Sequence, residues 1–277
     1  MPLSLGSLVE IAPGVLMPRL GFGTYKAAEG SEVEGAVAEA LRAGYRGVDT
    51  ASFYGNERGV GRAIAESGLA RKDVFVATKV WNDEQGYDGT LRALERSLGR
   101  LGLAHVDLYL VHWPQPALAR DTWRAMERAL ADGLTRAIGV CNHLPHHVEA
   151  LLAHASVPPA IDQVEFHPLL QSPDLQAYLR ERGIALQAWA PLIRGRAGSV
   201  PELVRIAGAH GVTPSQVCVR WALQLGHCAV PKSVHAARIR ENADVFGFEL
   251  SEDEMAAIAA LDRSERLGPH PDVGPGA

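Results

Sequence analysis

Short β-type runs alternate with longer segments of helical period along almost the whole chain, and this alternation limits the possible folds more than any other feature. We expect strands at 20–24, 46–50, 74–80, 106–112, 135–141, 160–166, 184–190 and 227–233. Helix-like segments lie between them, among them 31–44, 88–102, 119–133, 172–183 and 213–226. Strands that alternate with helices in this way predict a parallel sheet with helices packed outside it.

Eight strands is the number that closes a parallel barrel, so the pattern predicts an α/β protein with a (β/α)8 TIM barrel. A doubly wound sheet is the alternative, but it usually has fewer strands and needs a switch point in the strand order. No Pro-, Gly- or Ser-rich linker divides the chain, so we expect a single domain over 1–277. Residues 9–19 are expected to form an N-terminal β-hairpin, and 266–277 a loose C-terminal loop tail.

The composition argues against several partners and compartments. A net charge of -5 gives no excess of basic residues for nucleic acid or an anionic membrane. There is no signal-peptide pattern and no run of about 18 apolar residues. The three cysteines, Cys141, Cys218 and Cys228, are too scattered for a disulfide framework or a zinc site. We therefore expect a cytoplasmic protein; the residues leave the oligomeric state open, and a monomer is the working expectation.

Four polar residues fall at or just beyond the ends of three successive predicted strands. They are Asp49, Tyr54, Lys79 and His112. In a parallel barrel the reactive groups gather at the carboxyl ends of the strands, so these side chains are expected to meet there. A nearby cation lowers a tyrosine pKa from about 10 toward working pH, which would make the phenol a usable proton donor. Alone, each residue is an ordinary cap or rim residue, but together they predict an enzyme.

Six segments of the chain carry a resemblance to a known family. They lie at 44–64 (GYRGVDTASFYGNERGVGRAI), 74–83 (VFVATKVWND), 108–114 (LYLVHWP), 137–143 (AIGVCNH), 164–171 (VEFHPLLQ) and 230–246 (VPKSVHAARIRENADVF). In this order they resemble the signature segments of the aldo-keto reductase family and span nearly the whole chain. Within that family the chain is similar to the bacterial reductases that include 2,5-diketo-D-gluconate reductase.

The resemblance implies a reaction and assigns roles in it. It implies NADPH-dependent reduction of aldehydes, ketones or keto sugars to alcohols, with NADPH preferred over NADH. Tyr54 would act as general acid, Lys79 would lower the phenol pKa, and Asp49 would hold Lys79. His112 would orient and polarise the carbonyl. An alternative that stays open is an NADPH-binding regulatory protein with little turnover. A barrel glycosidase would need paired rim carboxylates, and no second one is evident beside Asp49.

The cofactor is not expected to bind in a Rossmann manner, because neither 21–23 nor 55–61 gives the G-x-G-x-x-G pattern in its strand-to-helix context. The resemblance instead implies a dinucleotide lying across the barrel mouth. Asn142 and Gln163 would hold the carboxamide, Trp189 would stack on the nicotinamide, and 232–242 would hold the adenosine end. The residues expected at the cofactor are Gly23, Thr24, Asp49, Cys141, Asn142, Gln163, Trp189, Pro191, Leu192, Lys232, Ser233, Val234, Arg238, Glu241 and Asn242.

Two residues depart from the family pattern. Cys141 and Ala190 stand where a serine is usual, and each lacks a hydroxyl near the expected cofactor. Arg194 and Arg196 follow in the same loop and are candidates for the pyrophosphate. The Cys141 thiol is either exposed beside the cofactor or buried and inert, and burial is the commoner state of a free cysteine.

The substrate pocket is expected to be aromatic. Phe53, Trp81, His112 and Trp113 match the pocket-lining positions, and such walls suit small aldehydes, ketones or keto sugars, including 2,5-diketo-D-gluconate and small dicarbonyls. The residues do not identify the physiological substrate. The histidines His143, His146 and His147 invite a metal interpretation, but no carboxylate that would complete a site is evident, so no metal is expected.

Overall fold

The structure is a computed structural model and describes residues 3–275. Its strands are β1 (Leu8–Ala12), β2 (Val15–Pro18), β3 (Phe22–Gly23), β4 (Gly47–Asp49), β5 (Phe75–Val80), β6 (Val106–Val111), β7 (Thr135–Cys141), β8 (Ile161–Glu165), β9 (Ala185–Trp189) and β10 (Cys228–Ala229). Strands β3 to β10 form one parallel sheet in chain order. Gly21 N donates to Ala229 O at 2.9 Å and thereby joins the last strand to the first. The predicted (β/α)8 barrel is confirmed.

Ten α-helices lie in the described residues. They are α1 (Ser31–Arg42), α2 (Glu57–Ala65), α3 (Tyr87–Leu101), α4 (Ala119–Ala131), α5 (Pro145–Leu152), α6 (Pro173–Glu181), α7 (Pro201–His210), α8 (Pro214–Gln224), α9 (Ala236–Ala243) and α10 (Glu252–Ala259). Thr213 and Gln216 form a capping box at the start of α8, and Gly102 ends α3 with a left-handed φ of 67°. No helix within 3–275 is both long and apolar enough to cross a membrane.

The structure contains every expected strand and helix, adds further helices, and shortens two of the strands. Each expected helical segment contains a helix, but α2, α5, α7, α9 and α10 were not among those segments. Strands β3 and β10 have only two residues each, although 20–24 and 227–233 were expected. Pro231 helps to end β10 because a proline nitrogen cannot donate a ladder hydrogen bond.

The predicted N-terminal hairpin is confirmed and closes one end of the barrel. Strands β1 and β2 pair antiparallel around Gly14, whose φ of 71° suits glycine. Ile11, Val15 and Met17 are buried in the same apolar cluster as Leu108 and other residues inside the barrel. Their burial fills the end of the barrel opposite to the one where the strands finish, so ligands have access from one side only.

The C-terminal tail, which we define as residues 266–275, has no helix or strand, as expected, but it is not loose. Leu267 N and Gly268 N donate to the two oxygens of the buried Glu165 carboxylate at 2.6 and 3.0 Å. Hydrogen bonds to a charged acceptor are stronger than neutral ones, so they fix the tail on the barrel. From there, Pro269 and Pro275 reach the mouth of the barrel.

Asp162, on β8, is a buried carboxyl with too few partners. Its side chain is fully buried, and Oδ1 accepts only a long bond from His143 N at 3.4 Å. Oδ2 has no hydrogen-bond partner in the described residues. Burial therefore raises the pKa of Asp162 well above its ordinary value. A carboxyl with a raised native pKa stabilises the fold least at high pH, because the native state must then hold either a proton or a poorly solvated charge.

We predict that Asp162→Asn stabilises the protein at pH 8 by about 1–3 kcal/mol, because the neutral amide needs neither a bound proton nor a poorly solvated charge. The gain should shrink as the pH falls toward 5, because wild-type Asp162 then gains its proton more easily. Urea unfolding at both pH values measures it. Asp107→Asn is the control and should destabilise, since Asp107 accepts from Val76 N, Arg71 and Arg136. An Asp162→Asn variant no more stable than wild type at pH 8 would contradict the prediction.

Candidate active site

The four predicted catalytic residues meet at the carboxyl ends of the strands. Asp49 is the last residue of β4, Lys79 lies near the end of β5, and His112 directly follows β6. Tyr54 lies in a short 3-10 turn, Ser52–Tyr54, that follows β4. All but the fully buried Lys79 line a cleft of about 780 Å³ at the barrel mouth. In (β/α)8 barrels the reactive groups lie at this end of the strands.

Lys79 is the centre of the site. Its Nζ lies 2.8 Å from each oxygen of the Asp49 carboxylate and donates to Thr50 O at 2.8 Å. It lies 3.3 Å from the Tyr54 hydroxyl. Gln163 Nε2 also donates to Asp49 Oδ1, at 2.8 Å. A buried ion pair is stable only when the remaining polar atoms of both partners are hydrogen-bonded, and here they are.

Burial and neighbouring charges act in opposite directions on the pKa of Lys79 and on the pKa of Tyr54. Burial lowers the pKa of Lys79, but Asp49 and then Tyr54 raise it, and the net pKa lies above its ordinary value. Burial raises the pKa of Tyr54 and Lys79 lowers it, with a net rise. Lys79 thus acts on the phenol in the expected direction, but the expected net lowering is not found, because burial outweighs it. Both groups hold their protons near neutral pH.

His112 is neutral in this site. Its side chain is buried, and burial together with the charge of Lys79 holds its pKa well below the ordinary value. Nδ1 has no hydrogen-bond partner in the described residues. A buried N–H group without a partner costs more free energy than a buried nitrogen lone pair without one. The single proton of the neutral ring is therefore favoured on Nε2. The ring is inclined at 73° to Tyr54 and 78° to Trp81, with centroid distances of 5.6 and 4.9 Å.

Asn56 fixes the loop that faces Tyr54. Its fully buried side-chain amide donates to Thr24 O and Ala27 O, both at 2.9 Å. Those bonds hold the loop after β3, and that loop places the Tyr25 ring 5.0 Å from the Tyr54 ring. Tyr25 lines the cleft but was not among the predicted site residues. The strand-end rule that identified Asp49 would have found it, because it follows β3.

The expected cofactor residues nearly all line the cleft. The exceptions are Thr24, whose hydroxyl bonds to Asp49 O, and Cys141. Cys141 is 1% exposed inside the barrel, and burial raises the pKa of its thiol well above the ordinary value. The exposed-thiol alternative is therefore wrong, and the buried, inert alternative holds. Gly23 allows barrel closure, because a Cβ there would lie 2.9 Å from Val230 O.

Asn142 links Trp189 to Gln163, because its side chain bonds to the indole and its backbone N donates to Gln163 O at 3.1 Å. Trp189 Nε1 donates to Asn142 Oδ1 at 2.8 Å, and Asn142 Nδ2 donates to His112 O at 3.0 Å. Gln163 Nε2 donates to both Asp49 Oδ1 and Gln187 Oε1. Its two N–H groups are thus engaged, and Oε1, with only a 4.0 Å contact from Cys141, is available as an acceptor for an amide N–H.

The far end of the cleft is basic. Arg238 is exposed on α9 and has no ion pair or side-chain hydrogen bond within residues 3–275, and Lys232 Nζ contacts only Lys26 O, at 3.2 Å. Arg194 lines the cleft as expected. The expectation for Arg196 is wrong, because its guanidinium lies 2.7 Å from Glu265 and outside the cleft. Free cations in this region provide a site for phosphate groups.

An aromatic wall flanks the proposed proton donor. Phe53 stacks on Trp81 with ring centroids 3.7 Å apart and an interplanar angle of 15°. Both line the cleft together with Trp113 and His112, in the expected places. Lys26, Pro269 and Pro275 also line it. Lys26 follows a strand end and could have been found by that rule, whereas no local pattern marks the two prolines.

The histidine cluster is held by a carboxylate that the sequence did not indicate. His146 Nε2 and His147 Nε2 lie 2.9 and 3.2 Å from Asp272 Oδ1, in the C-terminal tail. Leu144 N donates to His147 Nδ1 at 3.1 Å, which places the ring proton on Nε2. The hydrogen bond in the cluster joins His146 Nε2 to Asp272 Oδ1, and His147 Nε2 lies 3.2 Å from the same oxygen, so the cluster fastens the tail. That no metal binds stays a prediction.

Comparison with known proteins assigns the family. The profile of the Aldo/keto reductase family matches residues 19–263. A glyoxal reductase of Bacillus subtilis (strain 168) is 48% identical over 272 residues, covering 98% of this chain and 99% of that protein. The chain belongs to the aldo/keto reductase family, and with it to the oxidoreductases.

Solved structures agree in fold over nearly the full length. A mutant of Gox0644 in complex with NADPH has a TM-score of 0.92 and 39% identity, covering 98% of this chain and 99% of that one. A putative 2,5-diketo-D-gluconic acid reductase B has a TM-score of 0.89 and 36% identity, covering 93% of each chain. The resemblance inferred from the sequence segments is confirmed.

We predict that Lys79→Met lowers the free energy of unfolding by about 3–5 kcal/mol, because it leaves the buried Asp49 charge without its cation. The loss should diminish at acid pH, where the unpaired carboxylate takes up a proton. The double variant Asp49→Asn/Lys79→Met removes both charges and should recover most of the stability. Urea unfolding at pH 5 and pH 7 measures all three. A double variant as unstable as the single one would show that the charge imbalance is not the cause.

Proposed function

We propose that this protein reduces small carbonyl compounds, in particular small dicarbonyls of the glyoxal kind, to alcohols with NADPH. The observation that carries the proposal is the Tyr54 hydroxyl held 3.3 Å from the buried Lys79 ammonium at the cleft. The similarity to a glyoxal reductase and to a protein solved with NADPH supports the substrate class and the cofactor. Larger keto sugars such as 2,5-diketo-D-gluconate belong to the same proposal as further substrates.

The cleft fits a nicotinamide dinucleotide. Oε1 of Gln163 is an acceptor for the carboxamide, Trp189 offers an aromatic face, and the unpaired cations Lys232 and Arg238 lie where phosphates would need charge. Ser233, Val234, Glu241 and Asn242 line the same end. A reduced nicotinamide, when bound, supplies the hydride.

The protein supplies the proton and the orientation. Tyr54 retains its proton near neutral pH because burial raises its pKa, so the phenol is in the form that can donate to a carbonyl oxygen. After donation, Lys79 stabilises the phenolate by charge, and Asp49 keeps Lys79 in place. His112, with its proton on Nε2, donates a hydrogen bond that orients the carbonyl. Phe53 stacked on Trp81 gives the cleft an aromatic wall, which suits small carbonyl compounds.

We predict that Tyr54→Phe loses about 10²–10⁴ in kcat, the usual contribution of general acid catalysis, while NADPH binding stays unchanged. Absorbance at 340 nm with glyoxal and methylglyoxal measures turnover, and calorimetry measures binding. Tyr25→Phe is the control, because Tyr25 lines the same cleft but has no contact with Lys79. Near wild-type turnover in Tyr54→Phe would contradict the assignment of the proton donor. No NADPH oxidation by the wild type with any carbonyl would favour the regulatory alternative.

We predict that Arg238→Ala weakens NADPH binding by about 10- to 150-fold and NADH binding much less. A charge-assisted bond contributes about 1.5–3 kcal/mol, and only NADPH has the 2'-phosphate. Lys232→Met should act in the same direction. Arg240→Ala is the matched control, since this arginine of the same helix pairs with Glu39 and does not line the cleft. Equal losses for NADPH and NADH would mean that Arg238 does not bind the 2'-phosphate, and would contradict the proposed preference for NADPH.

A further inference from the structure

The C-terminal tail packs directly on Trp189. A Cβ on Gly268 would lie 2.5 Å from Trp189 Cη2 and 3.4 Å from Cζ2, closer than the indole can accept without moving. Glu165 holds the Gly268 backbone in this position through the bond from Gly268 N at 3.0 Å. Glu165 is itself fully buried and bonds His167 at 3.1 Å. The tail is therefore a fixed surface against the six-membered ring of the indole.

Trp189 transmits this position to Asn142. Its indole nitrogen donates to Asn142 Oδ1 at 2.8 Å, which sets the orientation of the side-chain amide, with Nδ2 toward His112 O. Asn142 has a left-handed φ of 59°, so its own backbone is in a sparsely populated conformation that needs support from its surroundings. The hydrogen bond from Trp189 supports Asn142, and Trp189 is itself in contact with the tail.

We propose that Gly268 and Glu165 are positioning residues for the cofactor, acting in sequence: Glu165 holds the tail, Gly268 seats the indole of Trp189, and Trp189 fixes the amide of Asn142. This rests on the proposed binding of a nicotinamide in the cleft, whose carboxamide we place at Asn142 as well as at Gln163. The tail thus contributes to cofactor affinity through residues that do not themselves need to touch the cofactor. Only glycine allows the tail to approach the indole this closely, which gives position 268 a specific function.

The first test is Gly268→Ala. It should raise the NADPH Kd by about 2- to 13-fold, the equivalent of one neutral hydrogen bond of about 0.5–1.5 kcal/mol, and change kcat at saturating NADPH much less. Calorimetry gives the Kd and steady-state kinetics give kcat. Gly247→Ala is the matched control, because Gly247 is exposed and its Cβ would meet nothing within 4 Å. An unchanged Kd in Gly268→Ala would overturn the proposal.

The second test asks whether the effect passes through the indole. Trp189→Phe keeps an aromatic face but removes the N–H group and the ring that the alanine would strike. In that background Gly268→Ala should cause no further loss, so the two changes are non-additive. Glu165→Gln weakens the hydrogen bonds that hold the tail. It should also raise the NADPH Kd when Trp189 is present, but not in the Trp189→Phe background. Additive losses would mean that the tail acts by another route.

A readout without cofactor separates this proposal from the proposed function. In the free protein, Gly268→Ala should shift the tryptophan emission, and the shift should be absent in the Trp189→Phe background and in Gly247→Ala. If the wild type binds no NADPH but the shift occurs, the cofactor assignment fails while the positioning of Trp189 by the tail stands. If the wild type binds NADPH and neither emission nor Kd responds to Gly268→Ala, the positioning proposal alone is rejected.

Discussion

The buried ion pair between Lys79 and Asp49 is the interaction on which the site depends. The two residues lie on the neighbouring strands β4 and β5, and both charges have lost nearly all contact with water. Such a pair is tolerated only when every remaining donor and acceptor is matched, so Thr50 O and the Gln163 amide are part of the same unit. The rigid barrel supplies this matching, because its strands fix the distance between the two charges.

The Tyr54 phenol lies beside this pair, so both burial and the charge of Lys79 affect its pKa. Burial alone favours the neutral phenol, and it dominates in the protein. The ammonium matters most once the proton leaves, because it then faces a phenolate at short range in a medium of low dielectric. The same burial and the same cation keep His112 neutral, so one arrangement sets the protonation of both groups that face the substrate. Catalytic groups in buried clefts commonly divide their roles in this way.

The tail shows how a segment without regular structure can be part of a site. Two separate contacts fasten it: the buried carboxylate of Glu165 near its beginning, and Asp272 against His146 and His147 further along. Between and beyond them, Pro269 and Pro275 line the cleft. The prolines restrict the backbone of the tail, which lowers the entropy lost when it is ordered. The sequence suggested a loose tail because its composition is that of an exposed loop.

The sequence by itself determined the barrel and the end of it at which the four predicted catalytic residues lie. The alternation of strand and helix periods requires a parallel sheet, and parallel strands bring their carboxyl ends to one edge, so Asp49, Lys79 and His112 had to meet. Local patterns were weaker for α2, whose glycines resemble a loop, and for the two-residue strands β3 and β10.

The tertiary structure alone decided the burial of Cys141, the pairing of Arg196 with Glu265 and the net rise of the Tyr54 pKa. It also decided the contact of Gly268 with Trp189. Each of these depends on which distant segments lie within a few ångströms of one another, and no periodicity or spacing along the chain carries that information.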